Sequence, residues 1–398
     1  MPIKVFEIEL TAGLKPIRVE SDYDEIYALI RFRGHPLGWL NRMAPTPIIS
    51  VGELRRALTE QLGHKLVPLI LGAGFHPVDE NHAVQTPISV IVCTRDRAEQ
   101  LRDCLEALTA MDYENFEIIV VDNAPTNGTA SQVAAHYPVR YVCEKNPGLD
   151  RARNRGIAEA THEIVAFTDD DARPDPGWLK AVARTFLESD VMAVTGMIAP
   201  AELETPAQVD FEINYGGMTH GFRRRHIHRD TLSDKQLLWA STFGVGANMA
   251  FRKQVFASIG LFDVALDVGT ASGGGGDVEM LHRVVAGGFT LVYEPGALVW
   301  HTHRRDCSSL RRQLYQNGTG FGSYLLTCAR KRCMSRRAIA TFAIRHWLGG
   351  WILRRLLRRG NLPRRYVLNE LHGALRSPFA YRAAQRCQKI LESSPQKL

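Results

Sequence analysis

The sequence predicts an α/β fold built on a doubly wound, mostly parallel sheet. Residues 88–92 form a continuous apolar run of buried-strand length, and Leu101, Leu105 and Leu108 follow it at helical spacing. The alternation then repeats, with strands expected at 116–121, 139–142 and 164–168 and helices through 133 and over 150–160. Strands that alternate with helices in this way indicate a parallel sheet covered by helices on both faces.

Changes in pattern divide the chain into three parts. Residues 1–80 predict a small mixed lead domain, with short strands followed by a helix from 51 to 62, and residues 72–87 have the composition of a linker. The predicted α/β domain covers residues 87–303. Residues 304–398 predict a basic helical extension.

The composition is that of a soluble globular protein, with 45% hydrophobic and 23% charged residues among 398. An apolar run of about 18 residues, as a transmembrane helix needs, is missing from the sequence. The first residues also lack a signal-peptide pattern, so we expect a cytoplasmic protein. The seven cysteines are scattered without a C-x-x-C pair, which favours reduced thiols over a zinc cluster or a disulfide framework.

Charge is distributed unevenly along the chain. Residues 301–398 contain 21 Lys and Arg against 3 Asp and Glu, whereas residues 1–300 contain 28 against 39. Trp347 and Trp351 are interleaved with leucines and arginines, as in an interfacial amphipathic helix. An anionic membrane surface is therefore a candidate partner for residues 304–365, with peripheral binding at the inner face of the plasma membrane. Nucleic acid is not favoured, and basic helices packed on the body are the alternative.

Three adjacent carboxylates, Asp169, Asp170 and Asp171, follow the predicted strand at 164–168. Ligands of such sheets bind at the carboxyl ends of the strands. Alternate residues of an extended turn point the same way, so Asp169 and Asp171 could share one ligand while Asp170 points elsewhere. Carboxylates and diphosphate oxygens suit Mg²⁺ or Mn²⁺, and an acidic turn before the next helix is the structural alternative.

Asp277 and Glu279 form a second acidic pair, at the start of a predicted helix that follows the glycine run 273–276. The helix dipole favours ionised carboxylates there, and an ionised carboxylate can act as a general base. His301, at the end of a predicted strand, could complete a metal site. Arg153 lies on the helix over 150–160, whose start suits an anion. An ordinary glycine loop, an exposed histidine and solvated arginines are the alternatives.

The order of these motifs resembles that of the family 2 glycosyltransferases, which have the GT-A fold. The resemblance covers residues 87–303 and rests on eight blocks, which are 87–97, 118–123, 146–157, 167–171, 246–252, 260–263, 276–279 and 300–301. Two departures accompany it. Gly276 stands where the family commonly has Glu, and the Gln-x-x-Arg-Trp motif of processive synthases is missing at Gln313.

The resemblance implies roles for matching residues. Asp122 would contact the nucleotide base, Asp169 the ribose or a metal, and Asp171 the metal. Asp277 would be the catalytic base, with Glu279 as the fallback, and His301 a further metal ligand. The predicted nucleotide-sugar site is completed by Thr94, Arg95, Arg153 and Asp170.

The expected function is the inverting transfer of a sugar from a nucleoside diphosphate sugar to a hydroxyl acceptor, assisted by Mn²⁺ or Mg²⁺. The acceptor would be a cell-surface glycan, as in polysaccharide biosynthesis, a lipid-linked saccharide or a glycoside. A dinucleotide-dependent oxidoreductase is not favoured, because residues 93–97 lack the Gly-x-Gly-x-x-Gly turn. The alternative is a catalytically weak, transferase-like module that binds anionic membranes.

Overall fold

A computed structural model of the protein describes residues 2–43, 47–70, 85–357 and 361–393. The predicted linker 72–87 lies almost entirely outside these residues. Within the described part of the chain, no helix is long and apolar enough to cross a membrane. The seven cysteines are free, as the sequence predicts.

The lead region has a small sheet of its own. Strands β1 (Ile3–Glu9), β3 (Glu25–Phe32) and β4 (His35–Met43) form this sheet, and helix α1 (Val51–Ile70) packs on it. The short strands β2 (Ile17–Arg18) and β5 (Ile48–Ile49) pair with each other. The lead region is joined to the rest of the molecule by the Arg31–Asp175 ion pair, with Nη1 and Oδ2 2.7 Å apart.

The central sheet has nine strands among the described residues. They are β6 (Ile88–Thr94), β7 (Phe116–Asn123), β8 (Arg140–Glu144), β9 (Ile164–Asp169), β10 (Ala172–Pro174), β11 (Val191–Pro200), β12 (Arg225–Ile227), β13 (Asn248–Arg252) and β14 (Thr290–His301). Their order is β10-β14-β11-β13-β9-β6-β7-β8, and β12 pairs with β14. Strands β6, β7, β8, β9, β11 and β14 point one way, and β13, β10 and β12 run against them. The predicted mostly parallel sheet is confirmed.

Helices cover both faces of this sheet. They are α2 (Ala98–Thr109), α3 (Thr129–Ala134), α4 (Leu149–Glu159), α5 (Trp178–Thr185), α6 (Pro206–Val209), α7 (Asp234–Leu238), α8 (Gln254–Ile259) and α9 (Gly276–Ala286). Side chains alternate between the faces, so Val90 and Val92 lie in one core while Ile91 and Cys93 lie in the other. The sheet therefore has a hydrophobic core on each face, as a doubly wound fold requires.

The chain ends in helices, as the sequence predicts. They are α10 (Cys307–Arg330), α11 (Arg336–Thr341), a π-helical segment (Phe342–Leu353), α12 (Arg354–Leu357) and α13 (Arg364–Ser393). Trp347 is buried in the core, and the Trp351 indole donates a hydrogen bond to Glu370. The expectation that these two tryptophans face a lipid surface is wrong, because both pack inward against the central domain.

Candidate active site

The carboxyl ends of three neighbouring strands bring the predicted polar residues to one edge of the sheet. Thr94, the last residue of β6, is in register with Asp122 of β7. On the other side of β6, Cys93 is in register with Asp169 of β9. The parallel register therefore places side chains from three separate motifs next to one another.

Asp169, Asp171 and His301 form a cluster of potential metal ligands. Their donor atoms all lie within 4.8 Å of one another. Strand β10 pairs with β14 so that Ala172 faces His301, and the Thr302 amide donates to the Asp171 carbonyl at 3.1 Å. This pairing brings His301 Nε2 to 3.2 Å from Asp171 Oδ1. Two carboxylates and an imidazole are a donor set that suits Mn²⁺ or Mg²⁺.

Charges around the cluster act on the two carboxylates in opposite directions. Burial would raise the pKa of Asp171, but the positive charges of His301, Arg304 and Arg97 outweigh it and hold the pKa well below its ordinary value. Burial raises the pKa of Asp169, and Arg153 offsets this effect only in part. The Asp171 carboxylate is therefore the more strongly ionised of the two.

Asp170 points away from the cluster into a separate set of contacts. Its carboxylate accepts hydrogen bonds from the Thr94 hydroxyl at 2.8 Å and from Arg97 Nη1 at 3.0 Å. Burial raises the pKa of Asp170 to about 6 despite the charge of Arg97. Asp170 and Thr94 thus hold each other at the strand ends.

Arg97, which was not among the predicted site residues, is the arginine of this turn that reaches the aspartates. Arg95 is exposed and lies 3.9 Å from Asp96, whereas Arg97 contacts both Asp170 and Asp171. Arg97 begins the turn into α2, so its side chain returns over the strand ends. Arg97 lies two positions after Arg95, in the same polar turn that follows the first predicted strand of the α/β domain.

Asp122 is fully buried at the end of β7. Its Oδ2 accepts a hydrogen bond from the Tyr141 hydroxyl at 2.7 Å. Its Oδ1 has no hydrogen-bond partner among the described residues. Burial raises the pKa of this carboxyl. A buried carboxylate oxygen without a partner is costly unless a ligand supplies the missing donor.

Arg153 is buried between acidic side chains. Its Nη1 donates to Asp150 Oδ1 at 2.9 Å, and its Nη2 lies 4.0 Å from Asp169 Oδ1. Nearby carboxylates raise the guanidinium pKa against the opposing effect of burial, with Asp150 first, then Asp169 and Asp277. Asp150 is a functional candidate that the sequence analysis missed, since an acidic residue in the first turn of a helix is common.

Asp150 also accounts for the glycine at position 276. A Cβ atom added to Gly276 would lie 1.7 Å from Asp150 Oδ2, so the carboxylate occupies the space of a side chain there. The Asp150 amide in turn donates to Asp267 Oδ1 at 2.8 Å. An acidic group is therefore present beside Asp277, but it comes from α4.

Asp277 stands at the junction of two cavities. A small cavity of about 130 Å³ is lined by four charged residues together with glycines and apolar residues. The charged residues are Asp150, Arg153, Asp169 and Asp277. A larger cavity of about 530 Å³ has Asp277 in its wall as well. Asp277 Oδ2 accepts a hydrogen bond from the Gly246 amide at 2.9 Å, and Oδ1 accepts from the Val278 amide at 2.9 Å.

The glycine run before Asp277 forms part of both cavity walls. Gly273, Gly274 and Gly275 have φ values of 76°, 135° and 101°, a region that favours glycine. All three line the larger cavity, and Gly275 lines the smaller one as well. The run therefore lies over the site, as its composition predicts.

Glu279 is not placed to act in either cavity. Its side chain is 2% exposed and its two oxygens are bound by Arg283 Nε at 2.8 Å and by Lys331 Nζ at 3.0 Å. Glu279 follows Asp277 by two residues, which is a rotation of about 200° around the helix axis, so its side chain points into the protein. The expectation that Glu279 could replace Asp277 as the base is therefore corrected, because both of its oxygens are engaged in buried ion pairs.

His303 and Glu212 lie behind the cluster of potential metal ligands. His301 Nδ1 lies 3.3 Å from His303 Nδ1, and His303 Nε2 lies 3.0 Å from Glu212 Oε2. These side-chain contacts fix the orientation of the His301 ring, so that its Nε2 faces Asp171. Glu212 is 89 residues away from His301 in a π-helical turn, so no local motif announces it.

Taken together, the fold and the site define an α/β protein that gathers acidic and basic side chains where nucleotide-binding α/β proteins bind their ligands. Residues 89–260 match the family model described as glycosyl transferase family 2. The matched residues lie within the central α/β domain, and this part of the chain is similar to the family 2 glycosyltransferases.

Curated relatives match over a longer span. A pre-mycofactocin glycosyltransferase of Mycobacterium tuberculosis is 27% identical over 287 residues, which cover 70% of this chain and 57% of that protein. The glycosyltransferase AglE of Haloferax volcanii is 26% identical over 234 residues, which cover 57% of this chain and 70% of that protein. The chain thus matches little more than half the length of the mycobacterial relative.

Two solved structures have a distant likeness to the chain. The mannosyltransferase PcManGT from Pyrobaculum calidifontis, in complex with GDP-Man and Mn²⁺, has a TM-score of 0.46 and 18% identity over 74% of this chain and 88% of that one. TarS 1–349 of S. aureus has a TM-score of 0.45 and 14% identity over 77% of this chain and 92% of that one.

Proposed function

We propose that the protein is an inverting glycosyltransferase that moves a sugar from a nucleoside diphosphate sugar to a hydroxyl group of an acceptor. The observation that carries this proposal is the position of Asp277, at the junction of the cavity with Asp169 and the larger cavity beyond it. A donor on one side and an acceptor on the other would meet at this carboxylate.

The donor would bind along the strand ends. The free oxygen of Asp122 would accept a hydrogen bond from the nucleotide base, and Asp169 would contact the ribose or the cation. Asp169, Asp171 and His301 would hold Mn²⁺ or Mg²⁺. A bound cation supplies charge compensation to the leaving diphosphate. Arg153 adds a fixed positive charge beside Asp169.

Asp277 would act as the general base. The acceptor oxygen forms a bond to the anomeric carbon from the face opposite the diphosphate, the bond from that carbon to the diphosphate oxygen breaks, and the hydroxyl proton passes to the Asp277 carboxylate. One displacement inverts the anomeric configuration. The hydrogen bonds from the Gly246 and Val278 amides hold the carboxylate in a fixed orientation for this transfer.

A donor screen tests this function. The full chain is incubated with Mn²⁺ or Mg²⁺ and a panel of nucleotide sugars, and release of nucleoside diphosphate is measured with and without EDTA. We expect cation-dependent turnover of at least one donor. For that donor, proton NMR should show an inverted anomeric configuration in the first product formed. Retention of configuration, or no turnover of any donor, would contradict the proposal.

Membrane binding by the C-terminal helices is a second candidate function, and it now rests on other residues. Among the described residues of 342–393, seven large apolar side chains are exposed, namely Ile344, Leu353, Leu357, Leu368, Leu375, Phe379 and Ile390. Arginines adjoin them in a region of strong positive charge. Flotation with anionic liposomes at low salt should carry the protein upward, and Leu357→Ser with Phe379→Ser should reduce this. Failure to float with anionic liposomes would remove the candidate.

A further inference from the structure

The larger cavity lies between the central domain and the C-terminal helices. Its volume is about 530 Å³, within the range of cavities that bind small molecules. Aromatic side chains from both regions form its walls, and they include Tyr215, Trp239, Phe321, Trp347 and Trp351. The C-terminal helices are therefore part of a binding site, although the sequence had suggested a membrane surface.

This cavity adjoins the small one with Asp169. Val245, Val268, Gly275 and Asp277 line both of them. A molecule in the larger cavity can therefore place a hydroxyl group at Asp277 without entering the space beside Asp169. This is the position that an acceptor needs.

Polar side chains are arranged on one wall. Gln313, Gln316 and Asn317 lie at spacings of three and four residues on α10, so they share one face of that helix. Their amide groups supply both hydrogen-bond donors and acceptors. A ligand with several hydroxyl groups could use both kinds of group, whereas an apolar ligand could use neither.

Glu370 and Arg355 in the cavity wall each have a buried polar atom without a hydrogen-bond partner among the described residues. Glu370 is 4% exposed, and its Oε2 has no hydrogen-bond partner among the described residues, while Oε1 accepts from the Trp351 indole at 2.8 Å. Arg355 lies 3.3 Å from the centre of the Trp351 ring, and its Nη1 is also buried without a partner in the part of the chain that the structure describes. A ligand hydroxyl could accept a hydrogen bond from Arg355 Nη1, and another could donate one to Glu370 Oε2.

We propose that this cavity binds a sugar ring of a carbohydrate acceptor. The inference rests on the proposed transferase function and names its second substrate by chemical class. A pyranose ring has C–H groups that pack on aromatic walls, and each hydroxyl both donates and accepts hydrogen bonds. A lipid chain would offer no hydrogen bond to Glu370 or Arg355. An anionic acceptor would be attracted by Arg355 but repelled by the two carboxylates, Glu370 and Asp277.

Binding can be measured apart from catalysis. Saturation-transfer NMR on the full chain is recorded with methyl β-glucopyranoside, methyl β-galactopyranoside and methyl α-mannopyranoside, and with cyclohexanemethanol as a ring that lacks the sugar hydroxyls. We expect saturation transfer to at least one glycoside and much less to cyclohexanemethanol. A site with polar groups placed for hydroxyls rejects an analogue without them.

Two variants locate the binding. Gln316→Leu removes a polar group from the cavity wall, and Glu370→Gln keeps the acceptor for the Trp351 indole but removes the acid. Each should weaken glycoside binding by roughly tenfold. Gln132→Leu, which makes the same change at an exposed position of α3 outside the cavity, should bind glycosides as the unaltered protein does. Thermal melting of each variant checks that it is folded.

The outcomes separate this inference from the function on which it rests. If the unaltered protein turns over a donor but binds none of the glycosides, the acceptor inference is overturned and the transferase proposal stands. Equal transfer to cyclohexanemethanol, or binding that a folded Gln316→Leu chain retains in full, would also overturn it. If glycosides bind in the cavity but no donor is turned over, the transferase proposal fails while the sugar site stands.

Discussion

The strand-end site and the aromatic cavity differ in how the chain builds them. Asp169, Asp170 and Asp171 come from a single turn, and the strands β6, β7 and β9 bring their neighbours into register. The aromatic cavity instead draws on side chains that are far apart in the chain, from Tyr215 to Glu370. The proposed donor side of the site is therefore built by neighbouring strands of one sheet, and the proposed acceptor side by elements that are distant from one another in the sequence.

The metal-type cluster should respond most strongly to substitution. Asp171→Asn keeps the shape of the side chain but removes the charge that His301, Arg304 and Arg97 hold ionised. Loss of an outer-shell partner costs about 10- to 100-fold in metal affinity, so loss of a direct ligand should cost at least about a hundredfold. Calorimetric titration with Mn²⁺ in the presence of a nucleoside diphosphate would measure it.

The matched control for this substitution is Asp112→Asn, at an exposed carboxylate that pairs with Lys180. We expect its Mn²⁺ affinity to equal that of the unaltered protein. If Asp171→Asn and Asp112→Asn bind Mn²⁺ equally well, the cluster is not the cation site.

The packing between α4 and α9 gives the next prediction. Gly276→Ala places a methyl group where Asp150 Oδ2 lies, 1.7 Å from the new Cβ. Overpacking of this kind costs about 1–3 kcal/mol in the free energy of unfolding. Urea denaturation measures the loss, and Asp150→Ala in the same chain should recover part of it.

Gly52→Ala is the control for Gly276→Ala, because no atom lies within 4 Å of the added Cβ at that position in α1. Alanine is the better helix former, so this variant should be as stable as the unaltered protein or more so. Equal losses at positions 52 and 276 would show that Asp150 does not fill the space beside Asp277.

The next prediction concerns the buried acid of the aromatic cavity, Glu370. Burial raises the pKa of Glu370 from 4.5 to about 7, although the Trp351 indole and the charge of Arg355 lower it. The folded state then binds more protons than the unfolded state between these values. The contribution of this group to stability is complete below about pH 4.5 and is lost as the pH rises to about 7.

Glu370→Gln removes this titration. The difference in unfolding free energy between the variant and the unaltered protein should change across that interval by at most about 1.4 kcal/mol per pH unit, in favour of the variant at higher pH. Urea denaturation at a series of pH values would measure it. Parallel stability profiles for the two proteins would contradict the raised pKa.

The sequence predicted the positions of the strand-end carboxylates well because these residues directly follow buried strands. It placed Asp122, Asp169, Asp171 and Thr94 at one sheet edge, and the structure brings them there. The contacts of Arg97 with Asp170 and Asp171 were not predicted, since the direction of a side chain in a turn depends on backbone angles that the pattern does not contain.

The aromatic cavity was largely beyond prediction. Trp347 and Trp351 have the spacing of an amphipathic helix, and only tertiary packing decides whether such a face meets lipid or another part of the protein. The sequence also gives no sign that Asp150 fills the space beside Gly276, because 126 positions separate the two residues. Glu279 was an alternative base to Asp277 because both lie in one helical turn. The ion pairs of Glu279 with Arg283 and Lys331, which only the structure shows, distinguish the two residues.

The turnover of Asp277→Asn tests the central claim most directly. With the donor found in the screen, kcat should fall at least about a hundredfold, as loss of a general base requires, while nucleoside diphosphate affinity stays close to that of the unaltered protein. In Glu279→Gln the cost should instead fall on thermal stability. Turnover of Asp277→Asn at the rate of the unaltered protein would contradict the assignment of Asp277 as the base.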